Sequence, residues 1–540
     1  MITLLIALTS ALAASVADVR SCLDANDVGC ADAAIASLGA ASSSDPNLLA
    51  LAAETAFYGG RYTAAADLGK RALDAGYVDK HDDVSLYQRT TVATSGWAEV
   101  RTKQFVVRYR PGVDAIIVDE ALETLEATQK NITPLLGGPP PGPTILEIYP
   151  DGTSFIDASS LPREAVETTG VVALSKWSRL LALSPRALGR GYGWKDTIAH
   201  EYVHLVVANK TNDRTPVWMQ EAVARYLEGR RKDGLDHFRL TPRDQALLGE
   251  AVREEQGQID PAKAKLLAKH PDTHLGLLTF DQMHPSLALL PTAELAALAY
   301  AQVSSLMSYC FKTGGEDVLV KALPMIRDGS DPRDALAVAV GTGKFAALER
   351  EWMDWLETQP YDQTPVGELP VALDGADEAA SDPVMAGRAD LRRYMRLGDL
   401  LREEGRPAAA LKEYSQAFDP EEPPSPLLAN KIAQAHLDLG LVDAARKDLE
   451  ESLRYYPEYP LSHKTLAKIR EEAGEKKLAL SSYREALELN PYDPDVLTAV
   501  ARLAKAQGLT AVAARADEDL TILKRGGQET KDVHLIEDAK

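Results

Sequence analysis

The chain has 540 residues, 45% of them hydrophobic and 26% charged, which is enough apolar content for several packed cores. Its net charge of −21 argues against a nucleic-acid partner, which wants a basic face, and against docking on anionic membranes. After the N-terminus no stretch reaches about eighteen uninterrupted apolar residues, so stable membrane insertion is not expected either.

The first element is an apolar run, Ile2–Leu12, too short to span a bilayer. Ala11-Leu12-Ala13 fits an A-x-A cleavage pattern, so residues 1–13 read as a signal peptide of an exported protein, periplasmic or extracellular. Cys22 and Cys30 lie on either side of the turn-rich Ala25-Asn26-Asp27-Val28-Gly29. In an oxidising compartment they are expected to close a small loop between two helices. Gly60 followed by Ala65 marks a helix–turn–helix unit within residues 14–95, with a degenerate partner around 18–39.

The middle of the chain changes character. Gln104–Tyr109 and Thr144–Tyr149 read as strands, with a helix over Val113–Thr133 between them. Val171–Leu174 and Leu180–Ser184 read as a strand pair. Next comes His200-Glu201-Tyr202-Val203-His204. Residues four apart on a helix share a face, with Cβ atoms about 5–6 Å apart, so both imidazoles reach one metal ion. Glu221 lies seventeen residues past His204, in the second turn of a helix that Thr215 is expected to cap and Pro216 to open. Asn209–Arg214 reads as the loop that folds this helix back on the first.

The pattern H-E-x-V-H followed by P-x-W-x-x-E-A-x-A-x-Y resembles the bacterial peptidase MA-like domains of the gluzincin metallopeptidases, which often accompany tetratricopeptide repeats. The likeness spans residues 99–358, and its specific motifs lie in 196–226. It implies zinc on His200, His204 and Glu221, with Glu201 as general base. It implies that a strand in the place of that pair offers its edge to an extended substrate. It also points to Tyr300, in Ala299-Tyr300-Ala301-Gln302, as a second electrophile for the oxyanion, set against a plain packing role for that ring. Thermolysin-like enzymes carry an aspartate four residues past the ligand glutamate to orient a histidine. Here that position is Arg225, so the support of the ligands must differ. His237 and His284 read as surface residues, and Cys310, in an apolar run, as a buried packing residue.

Residues 359–387 hold four prolines, six acidic residues and no lysine or arginine, and read as a linker that passes few contacts. Beyond it, Gly405, Gly440, Gly474 and Gly508 recur at spacings of 35, 34 and 34, each followed five residues later by alanine. This period resembles tetratricopeptide repeats over residues 388–525, with a polar tail at 526–540.

The sequence thus describes a multidomain chain: an α+β gluzincin-like metallopeptidase between all-α tetratricopeptide-like segments. The expected activity is zinc-dependent peptide hydrolysis, with a protein or peptide substrate and a protein partner held by the repeats. The rival reading is a repeat scaffold whose zinc domain is structural or inactive. A zinc hydrolase of non-peptide amides or esters is a third.

Overall fold

The computed structural model describes residues 14–161, 170–270, 273–284, 286–363, 388–418, 425–525 and 534–535. The expected signal peptide, most of the linker (364–387) and all but two residues of the tail lie outside them.

Five helices open the described chain: α1 (Val16–Asp24), α2 (Val28–Ser37), α3 (Pro46–Tyr58), α4 (Tyr62–Asp74) and α5 (Asp83–Ala93). Ser15 and Asp18 form a reciprocal cap on α1. Cys22 and Cys30 are disulfide-bonded across the α1–α2 turn, as expected. Gly60, between α3 and α4, has a φ of +66°, and a Cβ there would strike the Arg108 guanidinium. Glycine at this point serves a close approach as well as a turn.

A six-stranded sheet follows, in the order β4-β5-β3-β2-β1-β6. Its strands are β1 (Ala98–Arg101), β2 (Phe105–Tyr109), β3 (Thr144–Tyr149), β4 (Ala173–Lys176), β5 (Arg179–Leu183) and β6 (His534–Leu535). β2, β3 and β5 are parallel, and β1 and β4 are antiparallel to their neighbours. β1 was not anticipated from sequence, and β6 falls in the stretch read as a polar tail, where it pairs with Ala98 and Glu99. The helix expected over 113–133 is a 3-10 turn, Val113–Ile117, running into α6 (Val118–Asn131). A short helix, α7 (Gly152–Ala158), follows β3.

β2 and β5 are buried at every residue because both faces of the sheet are covered. On one face Phe105 meets Tyr202 of the histidine-bearing helix, ring to ring at 5.8 Å. On the other, Arg108, Glu147 and Arg179 meet the N-terminal helices. Arg179 donates to the Phe57 carbonyl (2.5 Å), Arg108 donates to the Gly60 carbonyl (2.8 Å), and the Tyr62 hydroxyl donates to Glu147. Glu147 and Arg179 are fully buried and paired at 3.4 Å. The Arg179 guanidinium stacks on Phe57 at 4.4 Å. The N-terminal helices are therefore one layer of a three-layer unit.

Past the sheet come α8 (Trp194–Thr211), α9 (Val217–Leu227), α10 (Pro242–Glu255), α11 (Pro261–Lys269), α12 (Ala293–Gly314), α13 (Val318–Arg327), α14 (Pro332–Val340) and α15 (Phe345–Glu357). The repeats are four helical pairs: α16 (Ala389–Glu403) with α17 (Pro407–Gln416), α18 (Pro426–Asp438) with α19 (Val442–Tyr455), α20 (Pro460–Glu472) with α21 (Lys476–Leu489), and α22 (Pro494–Ala506) with α23 (Thr510–Lys524). Each turn glycine named above has a positive φ, and Ala410, Ala445, Ala479 and Ala513 are buried where the helices cross.

The repeats do not hang on a contact-free linker, which corrects the sequence reading. Tyr361 and Asp362 are already packed, the Asp362 N–H donating to Gln245 Oε1 (3.1 Å) and the Asp362 carboxylate pairing with Arg454 of α19. The Tyr492 hydroxyl donates to Asp114 (2.8 Å), which also holds Arg186. The Tyr192 N–H donates to the Leu489 carbonyl (3.0 Å), and Lys195 bridges Glu120 and Glu488. Ile522 of α23 belongs to the same core as the sheet. Proline-rich composition does not report on contacts made by residues far from the linker in sequence.

Candidate metal centre

Helix α8 carries its motif on the stripe that its apolar face leaves free. Ile198, Ala199, Tyr202, Val203, Val206 and Val207 are buried, which leaves His200, Glu201 and His204 on the remaining stripe. α8 stops at Asn212 in the left-handed conformation, φ 51°. Thr215 does not cap α9, which corrects the expectation. It is buried and shares a hydroxyl hydrogen bond with Thr211 (2.8 Å), and Pro216 occupies the cap position with no side-chain bond. α9 nonetheless turns back against α8 and delivers Glu221 to both imidazoles.

His200 Nε2 and His204 Nε2 lie 3.0 Å apart. Glu221 Oε2 is 3.3 Å from His200 Nε2, and Glu221 Oε1 is 3.7 Å from His204 Nε2. Ligands about 2.05 Å from a tetrahedral zinc are separated by about 3.3 Å from one another, so the three side chains fit such an ion. His200, Glu201 and His204 also offer ligand atoms within 4.8 Å of one another. The side chains of His200, His204 and Glu221 are 17, 13 and 18% exposed, enclosed but reachable from solvent.

The electrostatics follow from crowding acids and imidazoles together. Burial raises the Glu221 carboxyl, but His204 and His200 outweigh it and hold it at about 2. Burial lowers His204 to about 4. Burial also pushes His200 down, yet its hydrogen bonds to Glu221 and Glu228 lift it well above 6.5. Glu201 is raised by burial to about 7, against the pull of His200 and a hydrogen bond from the Ser175 backbone. Glu201 thus faces β4, whose outer edge has no strand beside it among the described residues.

Glu228 is the site residue that sequence reading missed. Its Oε2 sits 2.8 Å from His200 Nδ1, which fixes that nitrogen as the protonated one and turns Nε2 toward the site. It performs the orienting task from seven residues past Glu221, two turns along, rather than four. That i, i+7 spacing was the available signal. At the four-residue position Arg225 pairs with Asp244 (3.2 Å) and stacks over the ring of Tyr300 at 5.6 Å. Tyr300 is half-buried against the core beneath the Arg225 guanidinium, whose charge helps hold the Glu221 carboxyl low. His237 is exposed and bonds Asp233 (2.7 Å), His284 is exposed, and Cys310 is buried, as read.

Residues 430–494 match the tetratricopeptide repeat family. The chain carries these repeats, and they are a fold used for binding proteins. No curated protein matches the chain. Among solved structures, leukotriene A4 hydrolase from Saccharomyces cerevisiae is 14% identical, over 79% of this chain and 67% of that one, with a TM-score of 0.29. MamA is 15% identical, over 26% of this chain and 81% of its own, with a TM-score of 0.22. The Cut9–Hcn1 tetramer of the APC/C is 14% identical over 94% and 95%, with a TM-score of 0.22. Scores this low carry no argument about function.

Proposed function

We propose that the chain is an exported zinc-dependent peptide hydrolase whose repeats hold a protein partner. The observation that carries this reading is the convergence of His200, His204 and Glu221 at tetrahedral spacing, with Glu201 alongside. Those three residues would hold the metal, and Zn²⁺ bound there supplies Lewis acidity toward water and a carbonyl. Glu201 takes the proton of the attacking water and passes it to the leaving amine. Burial raises the Glu201 carboxyl, which favours its taking a proton. Glu228 keeps His200 in the tautomer that presents Nε2. β4 grips an extended substrate through main-chain hydrogen bonds. Tyr300, positioned by Arg225, assists the developing oxyanion.

The scaffold reading draws on the repeat match, and one experiment separates the two. Zinc content and cleavage of a denatured protein are measured on wild type, Glu201→Gln and Glu221→Ala. The hydrolase reading expects zinc without activity in the first variant, a loss of about 10²–10⁴-fold, and neither zinc nor activity in the second. A wild type that binds zinc but cleaves no peptide makes the chain a scaffold.

A further inference from the structure

The last helix of the repeats, α23, gives Ile522 to the core of the sheet. The first, α16, packs on α17 and α18 through Leu391, Met395 and Gly398. The turn glycines define which positions correspond from one pair to the next. Counting back from Gly405, Gly440, Gly474 and Gly508, Leu397 of α16 matches Ile432, Leu466 and Val500, and Leu400 matches Ala435, Ile469 and Leu503. In the later pairs these positions are sealed by the pair before. Ala435 shares a buried cluster with Tyr414 of α17, Leu466 and Ile469 with Leu449 of α19, and Val500 and Leu503 with Tyr483 of α21. Among the described residues no repeat pair precedes α16. Leu397 and Leu400 are 42 and 50% exposed, and Tyr394, one turn earlier, is 38% exposed. The end of a helical array that faces water is ordinarily polar. α16 instead keeps the apolar set of an internal helix, so its outer face is built to be covered.

Charge says what covers it. Arg393, Leu397 and Leu400 stand at i, i+4 and i+7 and share one face, and Arg396 lies one turn before Leu400. Arg393 and Arg396 are exposed and have no ion pair or hydrogen bond among the described residues, in a chain whose net charge is −21. The acids at the two ends of the stripe, Asp390 and Glu404, are engaged by Arg388 (3.6 Å) and Arg406 (3.9 Å). A second copy stacked α16 on α16 would bring the arginines of both copies together, which is repulsive. A second copy stacked head to tail would need the far end of the array, which α23 buries against the sheet. Residues 364–387 of the chain are acidic, but Pro365, Gly367, Pro370, Gly375, Pro383 and Gly387 interrupt them. Their longest run free of proline and glycine, 376–382, has no large apolar residue to lay on the stripe.

We propose that the outer face of α16 docks an acidic amphipathic helix of a partner protein, seated as a preceding repeat would be. Its apolar residues cover Tyr394, Leu397 and Leu400, and its carboxylates meet Arg393 and Arg396. This rests on the reading that the repeats hold a protein partner, and it is independent of hydrolysis. It adds the surface and the chemistry of that partner: a helix with apolar residues at i, i+3 or i+4, and i+7, flanked by glutamate or aspartate.

The test uses the full chain and two stapled helical peptides of about 18 residues, long enough to hold a helix once stapled. Both carry leucines at i, i+3 and i+7, flanked by glutamates in one and by lysines in the other, with a photo-cross-linking residue beside the middle leucine. Binding is read by fluorescence anisotropy and the contact by mass spectrometry of cross-links. The acidic peptide should bind about tenfold or more tighter than the basic one and cross-link to α16. Leu397→Asp with Leu400→Asp should weaken it about tenfold or more, with an unchanged thermal melt because both positions are exposed. Arg393→Glu with Arg396→Glu should reverse the preference, so that the basic peptide binds tighter, a gain that a misfolded variant would not show. Absent or equal binding of the two peptides overturns the inference. So does self-association of the wild-type chain that Leu397→Asp abolishes, which gives the face to a second copy. Binding of the acidic peptide only after residues 364–386 are replaced by a glycine–serine linker gives the face to the chain's own segment and likewise overturns it. Cross-links elsewhere within residues 388–525 overturn this docking face but keep the repeats as the partner-binding unit, whereas cross-links outside those residues overturn both.

Discussion

Glu228→Gln tests the assignment that depends least on resemblance and most on geometry. In the native chain Glu228 Oε2 meets His200 Nδ1 at 2.8 Å, a charge-assisted bond once the metal occupies the opposite nitrogen. Hydrogen bonds to charged groups contribute about 1.5–3 kcal/mol and neutral ones about half of that. The glutamate side chain is 32% exposed, so solvent screening places the bond at the low end of that range. Glutamine keeps the shape and an acceptor oxygen but loses the charge, and a difference of about 1.4 kcal/mol weakens zinc about tenfold. Glu228→Ala also frees the ring to turn and should approach a hundredfold. Zinc affinity would be read by competition with a fluorescent chelator at fixed neutral pH, with thermal melts of the metal-free proteins to separate folding from binding. Affinities of both variants within twofold of wild type would falsify the orienting role.

Four further outcomes follow from the same structure. Arg179→Met should cost about 3–5 kcal/mol, because Glu147 stays buried with Arg108 as its remaining cation beside the Tyr62 and Tyr149 hydroxyls, whereas adding Glu147→Gln should recover at least half; urea unfolding midpoints decide, and a double variant no better than the single one refutes it. A fragment of residues 95–358, which the sequence alone would have offered as an independent domain, should be markedly less stable than the full chain and prone to aggregate, since it bares Arg179, Glu147 and the faces under Tyr492 and Ile522; a cooperative melt at the full-length temperature sinks that. Gly191→Ala should lower the melting temperature by several degrees, because φ is +80° and the new Cβ would stand 2.1 Å from the Leu489 carbonyl oxygen. Tyr300→Phe should leave zinc bound while reducing kcat by about 10²-fold, the scale of one lost oxyanion donor, and an unchanged kcat assigns that ring to packing alone.

The sequence determined what local chemistry can determine. The i, i+4 histidines with an adjacent glutamate define a face of one helix wherever that helix lies, and the glycine–alanine period of about 34 residues defines helical pairs by turn conformation and close crossing alone. The Cys22–Cys30 link spans eight residues around a turn and was equally local. Tertiary structure decided everything that depends on which surfaces meet. Arg108, Glu147 and Arg179 read as ordinary charges in or beside strands until the sheet placed all three on one buried face under Phe57 and Tyr62. Thr215 looked like a cap, but packing against Thr211 gave its hydroxyl a different partner. The prolines of the linker foretold separation, yet Tyr492 and Leu489, more than a hundred residues later, dock on the approach to α8. Glu228 met His200 only when α9 folded back on α8, and the α1–α2 turn met α8 and the β4–β5 hairpin only in the folded chain. Periodicity reports on a residue's own element, whereas these contacts join elements whose separation in sequence carries no periodic trace.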